Sequence, residues 1–161
     1  MTPVVPGAVF DCVVLLQAAA STKGPAFACM QLVRFGQVQI FLDWRVFAEI
    51  TDVLNRPGLH RKLKTLTPEV AADFLRDLSN NAKYLREVPE VFLYPRDPND
   101  EPYVNLAVAA GVRYLVTWDK DLLELMDDST PEGADFRQRF PALVILNSVA
   151  FLRELSAPRK D

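Results

Sequence analysis

Acidic side chains in this sequence stand next to short apolar segments, where those segments begin or end. Asp11 directly follows the apolar run 8–10, and Asp119 closely follows the run 114–117. The acidic turn 96–102, RDPNDEP, precedes small apolar residues at helical spacing. Parallel sheets place ligand sites at the carboxyl ends of their strands, and helix N-termini favour negative charge. We therefore expect these carboxylates to converge on one edge of a sheet.

Such a cluster of carboxylates favours a bound divalent cation. Carboxylates about 4 Å apart repel each other by roughly 4 kcal/mol per pair at an effective dielectric constant near 20. A hard cation with oxygen ligands removes this repulsion, so Mg²⁺ or Mn²⁺ fits, whereas zinc lacks a set of Cys and His ligands here. One or two such ions suit phosphodiester hydrolysis, because they polarise the phosphate, activate water and stabilise the leaving oxygen.

Two of the acids also have a simpler structural explanation. Asp11 could cap the helix that follows it. An Asp within VFDCVVLLQ is expected to be buried, however, and no Lys or Arg precedes Lys23 to pair with it, so a bound cation is favoured over a simple cap. Glu49 lies beside the apolar stripe of the predicted helix 44–55, and periodicity alone favours a surface glutamate.

Composition disfavours several classes of function. The net charge of −3 argues against a protein held to nucleic acid by broad electrostatics, but not against a nuclease whose acidic pocket carries metal ions. The single histidine, His60, is too few for histidine-pair ribonucleases and multi-histidine zinc hydrolases. No GxGxxG or GxxxxGK[ST] loop is present, so a nucleotide-cradling loop is not indicated.

Apolar runs and amphipathic segments alternate along the chain, which predicts an α/β fold with a mainly parallel sheet. The predicted strands are 8–10, 38–42, 114–117 and 142–146. The predicted helices are 12–20, 26–35, 44–55, 67–85, the segment after the acidic turn, and 149–155. Residues 91–94 form a further short apolar run, and residues 127–140 form a polar, charged insertion.

The 161 residues predict one domain covering 1–161, with a core from about residue 8 to residue 155. The longest apolar run, 13–20, is too short to span a bilayer, and the N-terminus lacks the pattern of a signal peptide. Cys12 and Cys29 form neither a CxxC pair nor a disulfide framework. These features predict a cytoplasmic protein with no membrane partner.

The order of the acidic segments resembles the PIN-domain family. Asp11 comes first, Glu49 follows in FAEITDVLNRP, and then come RDPNDEPYVNLAVAAG and YLVTWDKDLL. The similarity extends over about residues 9–155 and is strongest with the bacterial branch of toxin–antitoxin toxins. It implies a Rossmann-like three-layer α/β/α sandwich, often dimeric, that acts as an Mg²⁺- or Mn²⁺-dependent endoribonuclease. Toxin members are inhibited by a cognate antitoxin protein.

The resemblance also implies site residues by position. Asp11, Glu49, Glu101 and Asp119 correspond to the four catalytic and metal-binding acids, and Asp100 could share or replace the role of Glu101. It thus favours Glu49 as a site residue, contrary to periodicity alone. Asp97 and Asp121 are expected to be turn or cap residues that tune the local field. A basic run could bind RNA phosphates, although such clusters are mostly solvated surface. The run consists of Arg56, Arg61, Lys62 and Lys64.

Three positions depart from the family pattern. After the first Asp the family usually carries Thr, Ser or Cys and then Asn; here the pair is Cys12-Val13, so valine replaces an amide that could orient Asp11 or a water. Glu101 stands where Asp is more usual, and Trp118 stands where a polar or basic residue is frequent. Val13 therefore keeps open a degenerate PIN domain that binds RNA or a protein without cleaving. An unrelated α/β phosphotransfer or binding domain would require the acids to be dispersed in space.

Overall fold

Five short parallel strands form the central sheet of the protein. The computed structural model describes residues 4–157. The strands are β1 (Gly7–Phe10), β2 (Gln39–Leu42), β3 (Ala82–Tyr84), β4 (Tyr114–Val116) and β5 (Val144–Leu146). Their order is β3-β2-β1-β4-β5, and every neighbouring pair is parallel. The chain therefore builds the sheet outward from β1 on one side and then adds β4 and β5 on the other.

Helices flank this sheet and give a three-layer α/β/α sandwich, which confirms the predicted fold class. They are α1 (Cys12–Ala20), α2 (Pro25–Arg34), α3 (Trp44–Leu54), α4 (Pro57–Lys62), α5 (Pro68–Asn81), α6 (Glu101–Ala110), α7 (Lys120–Leu123), α8 (Pro131–Arg139) and α9 (Ser148–Ser156). Within residues 4–157 no single helix is long and apolar enough to cross a membrane, and only α1 and α2 together, bent by 91°, reach that length and composition.

Side-chain caps start the helices that directly follow strands. Asp11, Asp43 and Asn147 each occupy the single position between a strand and a helix. Their side chains accept hydrogen bonds of 2.9, 2.9 and 2.8 Å from backbone amides three residues later. Each cap satisfies an amide that the helix itself leaves without a partner, which is worth about 1 kcal/mol. The caps thus fix the sharp turn from strand to helix at the carboxyl edge of the sheet.

The core lies on both faces of the central strands. Strand β4 is buried along its whole length, and Phe151 of α9 packs edge-on against Phe10 and Tyr114 with ring centroids 5.8 and 5.3 Å away. Helix α6, which packs against β1, β2 and β4, contributes the fully buried Leu106. Burial of one such side chain stabilises the fold by about 1.5–3 kcal/mol. The two strands that carry Asp11 and Asp119 are therefore held by the most apolar part of the molecule.

A left-handed glycine ends α6 and directs the chain into β4. Gly111 has φ +67°, and its amide donates to Val108 O at 3.1 Å while Val112 N donates to Ala107 O at 3.2 Å. Non-glycine residues rarely adopt this conformation. The following Val112 packs so closely on Gly7 that a Cβ there would lie 2.8 Å from Val112 Cγ1. This close approach brings the beginning of β4 beside the beginning of β1.

One predicted element differs in the structure, and two segments without a predicted element are defined by it. The predicted helix 67–85 ends at Asn81, and Ala82–Tyr84 instead forms the edge strand β3, paired with β2. Residues 91–94 form no strand; their amides at Val91 and Phe92 donate to Asn105 Oδ1 at 3.0 and 2.8 Å. The polar insertion contains α8, whose Phe136 is fully buried. Phe136 is the only large apolar side chain within α8, which gives too little periodicity to predict such a helix.

Candidate active site

Asp11 and Asp119 lie at the carboxyl ends of the neighbouring strands β1 and β4. Asp11 follows Phe10 directly, and its amide donates to Val116 O at 3.0 Å. Thr117, which continues β4, is fully buried and joins the two acids. Its hydroxyl donates to Asp11 Oδ2 and accepts a 3.0 Å hydrogen bond from the Asp119 amide. The two carboxylates are therefore positioned by the same threonine.

The position of these two residues follows from the topology of the sheet. Strand β1 has β2 on one side and β4 on the other, so the helices after β1 and β4 leave the sheet in different directions. A cleft opens at such a switch point, and open α/β sheets bind ligands there. The predicted convergence of acids at one sheet edge thus has a structural cause that does not depend on the acids themselves.

A third segment brings two further carboxylates to the same cleft. A single 3-10 turn, Pro98–Asp100, leads directly into α6, and Asp97 caps it by accepting from Asn99 N at 3.2 Å. Asp97 and Asp100 are three residues apart and share one face of this turn. Carboxylate oxygens of Asp97, Asp100 and Asp119 all lie within 4.8 Å of one another.

Glu49 of α3 completes the ring of acids around this cleft, which we call the acidic cavity. The cavity has a volume of about 310 Å³. Glu49 is half-buried, so the structure places it neither in the core nor on the open surface. The cavity is lined by five acids and by Cys12, Val13, Asn99, Tyr103 and Trp118; the acids are Asp11, Glu49, Asp97, Asp100 and Asp119.

Two acids of this cavity, Asp11 and Asp100, have raised pKa values. Burial, together with the nearby charges of Asp119, Asp97 and Asp11, raises the pKa of Asp100 from 3.8 to about 8. Burial also raises the pKa of Asp11, although the hydrogen bonds from Thr117 and from the Val14 amide act in the opposite direction. Both shifts indicate that the cavity by itself disfavours a full set of ionised carboxylates.

A hard cation fits the donor atoms of the cavity. Two ionised carboxylates whose oxygens lie within 4.8 Å of each other repel by at least roughly 3.5 kcal/mol at an effective dielectric constant near 20. Asp100 Oδ2 is buried and has no hydrogen-bond partner among residues 4–157, although such atoms are nearly always satisfied. Burial, with the charges of Glu49 and Asp11, raises the pKa of Cys12 to about 12, so its thiol stays protonated. The donors are therefore oxygens, the ligands that Mg²⁺ and Mn²⁺ prefer.

Glu101 does not line the acidic cavity, although the family resemblance gave it the third acidic position. Its Oε1 atom accepts a 2.7 Å hydrogen bond from the Tyr94 amide. Glu101 thereby fixes the segment that leads into the 3-10 turn, and Asp100 occupies the cavity in its place. Asp121, expected to be a turn or cap residue, also points elsewhere and forms a 3.3 Å ion pair with Arg96.

The four predicted RNA-binding residues lie outside the acidic cavity. Arg56 precedes α4 and forms a 2.8 Å ion pair with Asp52. Arg61 and Lys62 belong to α4, Lys64 follows it, and all of these side chains are exposed. His60 on the same helix bonds through its ring Nε2 to Leu54 O. The basic run is thus an exposed surface outside the acidic cavity, and binding of RNA by it stays a prediction.

Sequence reasoning missed three residues of the site. The sequence places Thr117 only at the end of a strand, yet a polar residue that ends an otherwise apolar strand is a signal for a site. The sequence favours a turn role for Asp97, although its spacing from Asp100 predicts a shared face once a 3-10 turn is assumed. Tyr103 has a buried hydroxyl without a hydrogen-bond partner among the described residues. Burial, then the charges of Cys12 and Glu49, raises its pKa.

Comparisons with known proteins agree with this architecture. The family profile described as "PIN domain" matches residues 7–121, which is more than half of the chain. No curated protein sequence matches the chain significantly. The solved structure of PAE2754 from Pyrobaculum aerophilum is similar to this chain in fold, with a TM-score of 0.56 and 17% sequence identity over 98% of this chain and 100% of that one. The chain belongs to the PIN-domain family.

Proposed function

We propose that this protein is a metal-dependent endoribonuclease that hydrolyses phosphodiester bonds of RNA. One observation supports this most strongly: five acids from four separate segments of the chain line one cavity, and three of their carboxylates lie within 4.8 Å of one another. A cavity of this charge repels a nucleic acid unless a cation is bound. PIN domains are typically metal-dependent nucleases, which agrees with this chemistry.

In this proposal Asp97, Asp100 and Asp119 would hold the ion, and Asp11 lines the same cavity from the end of β1. The ion is Mg²⁺ or Mn²⁺, and it supplies positive charge that polarises the scissile phosphate and stabilises the leaving oxygen. The carboxylates are held in position before the ion binds: Thr117 and the Val14 amide hold Asp11, and the Asp121 amide donates to Asp119 Oδ1 at 2.8 Å. Such preorganisation lowers the cost of assembling the site.

We assign proton transfer to Glu49. It lines the acidic cavity but stands outside the group of three close carboxylates, so it is not required as a ligand of the ion. In the proposed reaction the oxygen of a water attacks the phosphorus, a P–O bond to ribose breaks, and the carboxylate of Glu49 takes the proton from the water. The leaving oxygen is protonated from solvent, and the products are two shorter RNA strands.

The test is cleavage of single-stranded RNA by chelator-stripped protein before and after Mg²⁺ or Mn²⁺ is added. We expect cleavage only with metal, and a loss of about a hundredfold or more in Asp119→Asn. Asparagine keeps the Asp119 cap on the Asp121 amide, so the fold is retained. Asp121→Asn is the matched control, because its side chain faces Arg96, and it should cleave normally. Cleavage that persists in chelator, or equally in Asp119→Asn, would contradict the proposal.

A second candidate function is binding of RNA or a protein without cleavage. Val13 supports it: this side chain lines the acidic cavity and is 49% exposed, where the family usually has an amide. Calorimetric titration of Mn²⁺ into the stripped protein separates the candidates. Binding of Mn²⁺ without cleavage of any RNA tested would favour the degenerate domain, whereas binding with cleavage favours the nuclease.

The resemblance to bacterial toxins leads to further proposals about partners. We propose that the protein is the toxin of a toxin–antitoxin pair, that a cognate antitoxin protein inhibits it, and that it acts in the cytoplasm as a homodimer. Induced expression of the wild type in bacteria should stop growth, and Asp119→Asn should not. Sedimentation of the purified chain tests the dimer. Normal growth with an active, soluble wild-type enzyme would contradict the toxin role.

A further inference from the structure

Trp118 forms a wall between the acidic cavity and a second cavity of about 410 Å³. We propose that this second cavity, the Trp118 cavity, binds a nucleobase of single-stranded RNA adjacent to the phosphate that is cleaved. The inference rests on the proposed function, and it adds a base-binding subsite that stacks the base on the Trp118 indole. The volume lies within the range of roughly 300–1,000 Å³ for small-molecule pockets.

The Trp118 side chain is held in place rather than free to rotate. Its Nε1 atom donates a 2.9 Å hydrogen bond to Ser148 Oγ. Ser148 is 1% exposed and begins α9, while Trp118 itself remains 40% exposed. A fixed and partly exposed indole presents a face for stacking without loss of side-chain freedom on binding. The exposed face of the Trp118 indole is therefore available for stacking on a base.

The lining of the Trp118 cavity differs sharply from that of the acidic cavity. No acidic residue of the described chain lines it. Its apolar wall consists of Ala20, Pro25, Ala26 and Leu63, in addition to Trp118. An apolar surface that faces an aromatic ring suits the flat face of a base, because every base can stack regardless of its sequence. The two cavities thus offer a charged site and an apolar site side by side.

One lysine lines the Trp118 cavity, two more are next to a lining residue in the chain, and their charge complements that of a nucleic acid. Lys23 lines it, and Lys62 and Lys64 are exposed on either side of Leu63 in the chain. Among residues 4–157 these three lysines form no ion pair. Thr65 Oγ1 donates to Ala20 O at 2.6 Å and ties this basic segment to the end of α1. A phosphate next to a bound base would therefore meet the positive charge of Lys23.

A single strand of RNA matches this arrangement better than a duplex does. Its backbone alternates phosphates with bases that are free to leave the stack, and proteins read such bases on aromatic side chains. A phosphate in the acidic cavity, bound through the ion, places a neighbouring base beside Trp118. In a duplex the bases are paired and stacked, so none could enter the cavity without first being extruded.

Fluorescence of Trp118 tests the proposal directly. The chain has two tryptophans, and Trp44→Phe leaves Trp118 as the only one. The titration is made with Mg²⁺ in a Glu49→Gln background, which keeps the three carboxylates that would hold the ion and removes the group assigned to take the proton from water. The probes are a short single-stranded oligouridylate and an abasic oligomer with the same ribose-phosphate backbone. We expect the oligouridylate to quench Trp118 fluorescence and the abasic oligomer to leave it nearly unchanged.

Affinity measured by anisotropy of labelled oligouridylate gives the second readout. Trp118→Leu should weaken binding about tenfold or more, and Trp118→Phe, which keeps a stacking ring, should weaken it less. Phe35→Leu is the control, because Phe35 is also exposed but lies with Gly36 near the opposite edge of the sheet. Circular dichroism and thermal melting verify that each variant is folded.

Two results would overturn the subsite. One is equal quenching by both oligomers together with unchanged affinity in Trp118→Leu, which would leave only attraction between phosphates and lysines. The other is no binding of either oligomer. Base-dependent quenching in a protein that never cleaves RNA would instead support the subsite and contradict the nuclease, so failures of the two proposals are distinguishable.

Discussion

The Thr117 hydroxyl donates a hydrogen bond to Asp11 Oδ2, although the two residues are 106 positions apart in the chain. The same hydroxyl oxygen accepts from the Asp119 amide at 3.0 Å. Thr117 is fully buried, so water does not compete for either bond. The threonine therefore sets both the orientation of Asp11 and the turn that presents Asp119, without lining the cavity itself.

Thr117→Val should weaken metal binding without unfolding the protein. Valine has nearly the same shape but removes both hydrogen bonds, which leaves the Asp11 carboxylate and the Asp119 amide without this partner. We expect a loss of about 1–3 kcal/mol in the free energy of unfolding. The pKa of Asp11 should rise further, because the Thr117 bond lowers it. Calorimetry measures the affinity for Mn²⁺, and urea denaturation measures the free energy of unfolding.

The control for this variant is Thr130→Val. Thr130 caps α8 by accepting from Gly133 N at 3.0 Å, and loss of a cap costs about 1 kcal/mol. Both variants should thus lose stability, but only Thr117→Val should lose affinity for the metal. Equal affinity for Mn²⁺ in both would show that Thr117 does not position the carboxylates.

Asp100→Asn should lower the affinity for the metal, whereas Glu101→Gln should leave it nearly unchanged. Asp100 lines the acidic cavity, so its neutralisation should lower the affinity for Mn²⁺ by about tenfold or more. Glu101→Gln keeps an oxygen that can accept from the Tyr94 amide, so its affinity should hardly change. Calorimetry on the pair provides the measurement. The reverse result would show that Glu101 turns into the cavity when metal binds, as the family resemblance implies.

The difference between Asp100 and Glu101 shows what the sequence can and cannot predict. The strand ends that carry Asp11 and Asp119 are recognisable because apolar runs stop there, and the parallel α/β fold follows from the alternation of elements. Which residue supplies the third acid of the cavity depends on how the chain winds at the start of the helix. A 3-10 turn at Pro98–Asp100 precedes α6, and this local change in winding decides which of two adjacent acids faces the cavity.

The missed strand β3 has a related physical cause. It is a three-residue edge strand whose Lys83 and Tyr84 are exposed, so it has no buried face to give an alternating pattern. It directly follows α5, and Ala82 and Leu85 happen to continue the helical spacing of that element. Pairing with β2 outweighs this local propensity, and such tertiary pairing leaves no trace in the segment itself.

Stability of the metal-free protein should fall as pH rises toward 8. The pKa of Asp100 is about 8 in the folded protein, against an ordinary value of 3.8. Between these values the folded state holds a proton that the unfolded state has released. Stability contributed by this proton is therefore full below pH 3.8, declines as pH rises and is lost above about pH 8. The slope for one proton is about 1.4 kcal/mol per pH unit.

Comparison with Asp100→Asn isolates this contribution from those of the other acids. Urea denaturation of both proteins in chelator, from pH 5 to pH 9, gives the difference in stability at each pH. We expect the free energy of unfolding of Asp100→Asn to increase relative to that of the wild type as pH rises, and this difference to level off near pH 8. A difference that stays constant over this range would show that Asp100 titrates normally.

Affinity for the metal should change with pH in the opposite direction. The ion must displace the proton on Asp100, so binding is accompanied by proton release. Below about pH 8 the affinity for Mn²⁺ should rise with pH, by up to about tenfold per unit for one proton. Calorimetry in two buffers of different ionisation enthalpy counts the protons released. No release at pH 6 would contradict a ligand role for Asp100.

Val13→Asn tests whether the missing amide limits the reaction. Val13 is the second residue of α1, is 49% exposed and lines the acidic cavity two positions after Asp11. An amide at this place can donate a hydrogen bond to a carboxylate or a water, which valine cannot. We expect faster RNA cleavage with Mn²⁺ and no large change in stability, because the side chain is half-exposed.

Val13→Leu is the matched control, since it changes the shape of the side chain without adding a polar group. It should cleave no faster than the wild type. Equal rates for Val13→Asn and the wild type would show that valine is harmless here, and the amide would then have no part in this site. Faster cleavage by Val13→Asn alone would show that the ring of acids is competent and that the wild type lacks only an orienting group.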